Sequence, residues 1–303
     1  MFSLKKYQCA FIGALLIVGV VCASFAADPF SIILIPDTQY YAENPSYDIF
    51  DHQMEWIVDN EDTYNIKFVI HLGDITDNNV DAEWAVARDA YDILDDADIP
   101  YSMLPGNHDY VGTGDTKAHH VAFRDLAKFN SNFGPQTFSG ESWYGGNYGN
   151  TSNHNENNYC IFEVGDLKFM ILSIEYAPRK KVLTWANNLI SQNSDCRVII
   201  ATHMYLTAGG SYAGGSNTNY GLVGCEGVNI WDELVNRHSN VFLTVCGHVG
   251  DSELNEKTGV AGNITYEMLV DYQFEKRLNN TPNLGNGWLR ILTFDPDTDT
   301  IDA

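Results

Sequence analysis

A chain of 303 residues with 45% hydrophobic and 13% aromatic residues is too apolar to remain disordered, and it is long enough to bury a sizeable core. Its formal net charge of −23, from 17 Lys and Arg against 40 Asp and Glu, opposes nonspecific binding to nucleic acid or to an anionic membrane.

Lys5 and Lys6 precede an uncharged, mostly apolar stretch from Cys9 to Ala27, and Ser24-Phe25-Ala26 offers small residues at a cleavage site. Residues 1–26 therefore read as a secretory signal peptide, with 27–303 as a single domain exported to an extracellular, periplasmic or cell-surface location. The competing reading is an uncleaved anchor, since roughly 17–25 apolar residues can span a bilayer. Lipid attachment at Cys22 is opposed by Val21, where a small residue is wanted. Cleavage would remove Lys5 and Lys6, deepening the charge from −23 to −25, and would leave Cys160, Cys196, Cys225 and Cys246. These allow three pairings and contain no Cys-x-x-Cys spacing, so buried thiols or one structural disulfide are expected.

Short runs rich in Ile, Val, Leu and Phe predict strands at Ser31–Ile35, Lys67–Leu72, Tyr101–Leu104, Tyr159–Val164, Leu167–Ile174, Arg197–Ala201, Val241–Val245 and Trp288–Phe294. Amphipathic stretches predict helices at Ile49–Asn60, Ala82–Ala97, Lys117–Phe129, Lys180–Ser191 and Val228–Arg237. This alternation implies an α/β architecture with covered sheets. The turn at Gly165-Asp166 joins two strands as an antiparallel hairpin, so the sheets are expected to be mixed. Asn130–Asn158 and Leu206–Gly227, rich in Gly, Asn, Ser and Tyr, read as walls or lids over one site. Asp295–Ala303 reads as the approach to another strand, which leaves room for chain beyond residue 303.

Five apolar runs end in residues that bind metals: Asp37-Thr38-Gln39, Gly73-Asp74, Gly106-Asn107-His108-Asp109, His203 and Gly247-His248. A single Asp or His after a strand is ordinary loop chemistry. Five such tips become a site if the strands lie side by side, because α/β sheets bind ligands beyond the carboxyl ends of their strands. Gly-Asn-His-Asp is the most specific string, placing an amide oxygen, an imidazole and a carboxylate in succession.

These segments resemble, in order, the five sequence blocks of the calcineurin-like metallophosphoesterase superfamily, and the opening Pro-Asp-Thr-Gln is similar to an exported subgroup of it. The resemblance implies two mixed β-sheets flanked by helices, a four-layer sandwich with its site at the strand ends. It also implies one or two divalent metal ions (Mn, Mg, Fe, Zn or Ca). Asp74 would bridge two positions, with Asn107, His203 and His248 completing one, and Asp37 and Gln39 serving the other. The family has His where this chain has Gln39, and His again where it has Gly250. The loss of two imidazoles makes that position harder, better suited to oxygen-loving cations, or leaves a single-metal enzyme. Asp251 reads as a solvated loop residue that could reach in to compensate only if its loop shifted.

The resemblance further implies hydrolysis of a small phosphoester, as a phosphatase or phosphodiesterase, by metal-activated water. His108 would be the general acid, with Asp109 orienting its imidazole. Asp77 and Asn78 are expected to brace the loops, and Tyr40 and Tyr110 to line the substrate pocket. His119, His120, His154 and His238 read as surface histidines. Two other readings are carried: a phosphate-ligand binding or sensor protein that has lost turnover, and a nuclease, which the acidic balance opposes. Oligomeric state is left open by the sequence.

Overall fold

The computed structural model describes residues 27–111, 124–215, 220–274 and 285–303. The expected signal segment and most of the expected helix at Lys117–Phe129 lie outside them. Twelve strands are described: β1 (Phe30–Ile35), β2 (Ile66–His71), β3 (Tyr101–Ser102), β4 (Tyr144–Asn147), β5 (Asn158–Val164), β6 (Leu167–Ile174), β7 (Arg197–Thr202), β8 (Val241–Cys246), β9 (Asp251–Thr258), β10 (Ile264–Asp271), β11 (Arg290–Asp295) and β12 (Thr300–Asp302). The helices are α1 (Gln39–Glu43), α2 (Ile49–Asp59), α3 (Glu61–Tyr64), α4 (Asp81–Asp96), α5 (Ala127–Asn132), α6 (Lys180–Gln192) and α7 (Gly227–Glu233). Among the described residues no helix is long and apolar enough to cross a membrane.

The strands form two mixed sheets, as expected. One has the order β12-β11-β1-β2-β3 and the other β4-β5-β6-β7-β8-β10-β9. In the first, β1, β2 and β3 run parallel, flanked by antiparallel β11. In the second, β6, β7, β8 and β10 run parallel, with antiparallel partners at both edges.

The side-chain period of two divides each central strand between two apolar layers. Phe30, Ile32 and Leu34 of β1 meet Phe169, Ile171, Ile199 and Val245 between the sheets, whereas Ile33 and Ile35 face α2 and α4. On the far side, Met170, Leu172, Val198 and Ile200 pack beneath α6 and α7. The helices supply matching stripes, Phe50, Met54 and Ile57 on α2 and Trp84, Ala87, Tyr91 and Leu94 on α4, at three- and four-residue spacing. Each fully buried aliphatic side chain contributes about 1.5–3 kcal/mol, so the inter-sheet layer holds the two sets of strand ends at one edge.

Four strands lie outside the expected set: β4, β9, β10 and β12. The edge strand β9 is largely exposed along its length, so no apolar run marks it. Asn130–Asn158 is not a wall of the site. Its Phe133 and Phe138 are buried beside Trp84, Tyr91 and Tyr101, β4 pairs with β5, and Asn158 Nδ2 donates to Met103 O at 2.8 Å.

Candidate metal centre

The carboxyl ends of β1, β2, β3, β7, β8 and β10 open on one edge. The backbone there is unusual. Asp74 has φ +50° and His248 φ +75°, conformations that cost a non-glycine residue of order 1–3 kcal/mol and that cluster at functional sites. Gly106 permits the approach of the β3 loop, because a Cβ there would lie 2.1 Å from Asp74 Oδ1.

Three groups converge on one imidazole nitrogen. His203 Nε2 lies 3.2 Å from Asp74 Oδ2, 3.1 Å from Asn107 Oδ1 and 3.2 Å from His248 Nδ1. Asp74, His203 and His248 place one ligand atom each within 4.8 Å of one another. His203 Nδ1–H donates to Leu72 O at 2.8 Å, which directs the Nε2 lone pair at the cluster. Such a convergence of electron-rich atoms requires a positive centre, either a proton on Nε2 or a metal cation shared by the group. The residues therefore fit a metal of the imidazole-tolerant class.

The electrostatics agree. Asp37, Asp74, Asp109 and Asp271 are all buried. Burial, then the neighbouring Asp271 and Asp74 carboxylates, push Asp37 well above the usual carboxylate range. Burial likewise raises Asp271 to about 6, against hydrogen bonds from Gln273, and burial with Asp74 raises Asp109 to about 7. Burial alone would raise Asp74 too, yet the imidazoles of His203, His108 and His248 hold it below its ordinary value. The site is short of positive charge everywhere except around Asp74.

A cavity of ≈ 290 Å³ opens onto this cluster, lined by Gln39, Tyr40, Asp74, Asn107, His108, Tyr220, His248, Val249, Gly250, Gln273 and Phe274. A larger apolar groove of ≈ 600 Å³, bounded by Phe30, Phe169 and Phe294, sits at the other end of the strands and contains none of the expected ligands.

The structure thus brings Asp37, Gln39, Asp74, Asn107, His108, His203 and His248 to one place, with Tyr40 at its rim. Two expected roles are corrected. Asp109 does not touch His108. Its carboxylate accepts from Gly106 N (2.8 Å), Ile75 N (3.1 Å), Thr76 N (2.9 Å) and Thr76 Oγ1 (3.0 Å), stapling the β2 loop to the β3 loop. In the tight 3-10 turn Asn107–Asp109, consecutive side chains diverge, so sequence adjacency does not give contact. Tyr110 is wholly buried against Tyr176, 6.3 Å between ring centroids, and belongs to the core rather than the pocket. Asp251 does not reach in: it is exposed, pairs with Asp271 across the ladder, and accepts from Ser252 N.

Asp77, expected to brace the loops, supplies the contacts expected of Asp109, with its carbonyl oxygen 2.6 Å and its Oδ1 3.4 Å from His108 Nδ1. Four participants escaped the sequence reading: His71, Tyr176, Tyr220 and Gln273. His71 accepts from Gly73 N at Nδ1, so its Nε2–H donates to Thr38 Oγ1 at 3.0 Å, locking the β1 and β2 tips together. Tyr176 packs on both His203 and His248, and Tyr220 meets His248 edge-on. Gln273 donates to Asp37 Oδ2 and Asp271 Oδ2. The signal for Gln273 was Asp271-Tyr272-Gln273, which repeats the Asp-x-Gln of Asp37-Thr38-Gln39 after another apolar run.

A model of the calcineurin-like phosphoesterase family matches residues 30–252. The chain is 32% identical over 283 residues to the uncharacterized protein YvnB of Bacillus subtilis (strain 168), over 91% of this chain and 20% of that protein. It thus spans about a fifth of the length of the curated relative it matches. Among solved structures, a dimetal phosphatase from Danio rerio aligns with a TM-score of 0.48 at 15% identity, over 80% of this chain and 88% of that one. The purple acid phosphatase PPD1 from yellow lupin seeds aligns with a TM-score of 0.47 at 12% identity, over 91% and 53%. The family match runs across every strand tip that carries Asp37, Asp74, Asn107, His203 and His248, and the chain accordingly belongs to the calcineurin-like phosphoesterase family, whose chemistry is metal-dependent hydrolysis of phosphoesters.

Proposed function

We propose that this domain hydrolyses a small phosphoester, with His108 as the general acid for the leaving group. The observation that carries this is the meeting of Asp74 Oδ2, Asn107 Oδ1 and His248 Nδ1 around His203 Nε2, directly beneath a cavity that His108 also lines. A divalent cation held there by Asp74, Asn107, His203 and His248 would supply Lewis acidity toward phosphoryl oxygens and an acidified water. Asp37 and Gln39 stand beside it, ready for a further cation.

The chain's own contributions follow from position. The His108 backbone N–H donates to Asp74 Oδ1 at 2.8 Å, fixing the ring's place relative to the metal ligands. Its Nδ1–H donates to Asp77 O, and in this reading Nε2 is the nitrogen that exchanges a proton with the leaving oxygen. Tyr40, Tyr220 and Phe274 bring aromatic rings to the cavity. Such rings favour a phosphoryl group attached to a flat or apolar remainder. We also propose that the protein acts outside the cytoplasm, a reading supported by Lys5, Lys6 and the apolar stretch that follows.

The test is turnover of nitrophenyl phosphate and bis-nitrophenyl phosphate across Mg, Mn, Ca and Zn, with Asn107→Ala as control. Activity lost in Asn107→Ala supports the reading. Absence of turnover with every metal would leave a binding or sensor protein on the same fold.

A further inference from the structure

We propose that Gln273 completes an all-oxygen cation position with Asp37, Gln39 and Asp74, so that a hard divalent cation of the magnesium, calcium or manganese class binds beside the imidazole cluster. The proposal rests on the metal centre described above and adds a ligand to it.

The argument starts at Gly250. A Cβ there would come within 2.2 Å of Phe274 Cδ2, so the Phe274 ring takes the room that any side chain at 250 would need. The neighbouring Gln273 enters the same cavity from the end of β10. Its Nε2 donates to Asp37 Oδ2 at 3.1 Å and to Asp271 Oδ2 at 2.9 Å. With both carboxyl groups ionised, as a bound cation would hold them, the amide sits this way round, because turned over it would face its oxygen at two carboxylates. Gln273 Oε1 is therefore directed away from them. The residue is 6% exposed, and among the described residues Oε1 has no hydrogen-bond partner.

Gln39 repeats the arrangement from the end of β1. It is 3% exposed, and its Oε1 too lacks a partner among the described residues. Both glutamines line the one cavity together with Asp74. Buried carbonyl oxygens are rarely left without a donor or a cation. Two of them, on residues that line one cavity and with the Asp37 and Asp74 carboxyl groups alongside, make the donor set that hard cations take: oxygens only, several of them, two from carboxyl groups. The two Asp-x-Gln triplets thus act as a pair, each bringing an amide oxygen, with Gln273 Nε2 steering the Asp37 carboxylate.

The experiment is manganese anomalous diffraction from crystals of the full chain, with calorimetric titration of Mg and Ca into chelator-stripped protein. A manganese peak within about 2.0–2.6 Å of both Gln39 Oε1 and Gln273 Oε1 is expected. In solution, Gln273→Leu and Gln39→Leu should each weaken Mg and Ca binding by about 10-fold or more, while zinc still binds at the imidazole cluster. A manganese peak at Asp74, His203 and His248 alone, with only water on Gln273 Oε1, overturns this inference and leaves the metal centre standing. Unchanged Mg affinity in Gln273→Leu does the same. No peak at either position overturns both. Should the variants fail to fold, the anomalous map of the unaltered chain decides.

Discussion

His108 is braced by Asp77, not by the Asp109 that follows it in sequence: Nδ1 sits 2.6 Å from the Asp77 carbonyl oxygen and 3.4 Å from its carboxylate. The ring is thereby fixed at Nδ1. If His108 protonates the leaving group, its loss should depend on what leaves. His108→Ala should lose about 10²–10⁴-fold in kcat on alkyl phosphoesters, whose leaving alkoxide needs the proton, and much less on nitrophenyl esters, whose leaving group does not. Asp77→Asn keeps the carbonyl contact and should cost far less than His108→Ala. Equal losses on both substrate types would remove His108 from the proton transfer.

Asp109 has a different task, and its variant should fail differently. Its carboxylate accepts four hydrogen bonds that join the β2 and β3 loops carrying Asp74 and Asn107. In Asp109→Asn one acceptor becomes a donor aimed at N–H groups. Since a hydrogen bond to a charged group contributes about 1.5–3 kcal/mol, unfolding in urea should show a loss of about 3 kcal/mol or more, accompanied by weaker metal binding. A variant as stable as the parent but with a slow proton-transfer step would restore Asp109 as the partner of His108.

Sequence legibility tracks burial here. Strands β1, β6, β7 and β8 are buried on both faces and so stand out as unbroken apolar runs. Strand β10 is equally buried at its end, but Glu267 interrupts it. That carboxylate is hidden because Tyr205 and Tyr212 donate to it, a pairing made by segments more than fifty residues away. The ligand residues were readable because each follows a strand. Gln273 carried the same Asp-x-Gln pattern after an apolar run, but nothing local says that its amide meets Asp37, 236 positions earlier. Tyr110 misled for the opposite reason: a tyrosine beside a ligand carries no mark of which way it points.

His71 gives the fold a defined acid weakness. It is fully buried, and burial followed by the nearby His203 lowers its pKa to about 3, against about 6.5 in an unfolded chain. Between those values the unfolded chain binds a proton that the folded one refuses, so stability falls as pH falls from about 6.5 toward 3. The slope for one group is at most about 1.4 kcal/mol per pH unit. The raised pKa values of Asp109 and Asp271 act with the opposite sign, which makes the comparison with His71→Gln necessary. Urea unfolding of metal-free protein should show the parent's advantage over His71→Gln shrinking from pH 7 to pH 4. A constant difference across that range would mean that His71 takes up its proton in the folded state.

The remaining thiols report on the same stability. Cys160, Cys196, Cys225 and Cys246 are buried and unpaired, and burial pushes Cys246 up to about 12. Attack on a disulfide reagent needs an exposed thiolate, which none of the four offers while the core is closed. In native protein they should stay unlabelled for hours, and all four should react in denaturant. Cys246 lies two residues before His248, the proposed metal ligand at the end of β8. Stripping the metal removes a ligand that binds the folded state alone, so chelation should speed labelling of the four together. Labelling of Cys246 alone on chelation would instead place the loss at the end of β8, and no acceleration at all would mean that bound metal adds nothing to the stability of this core.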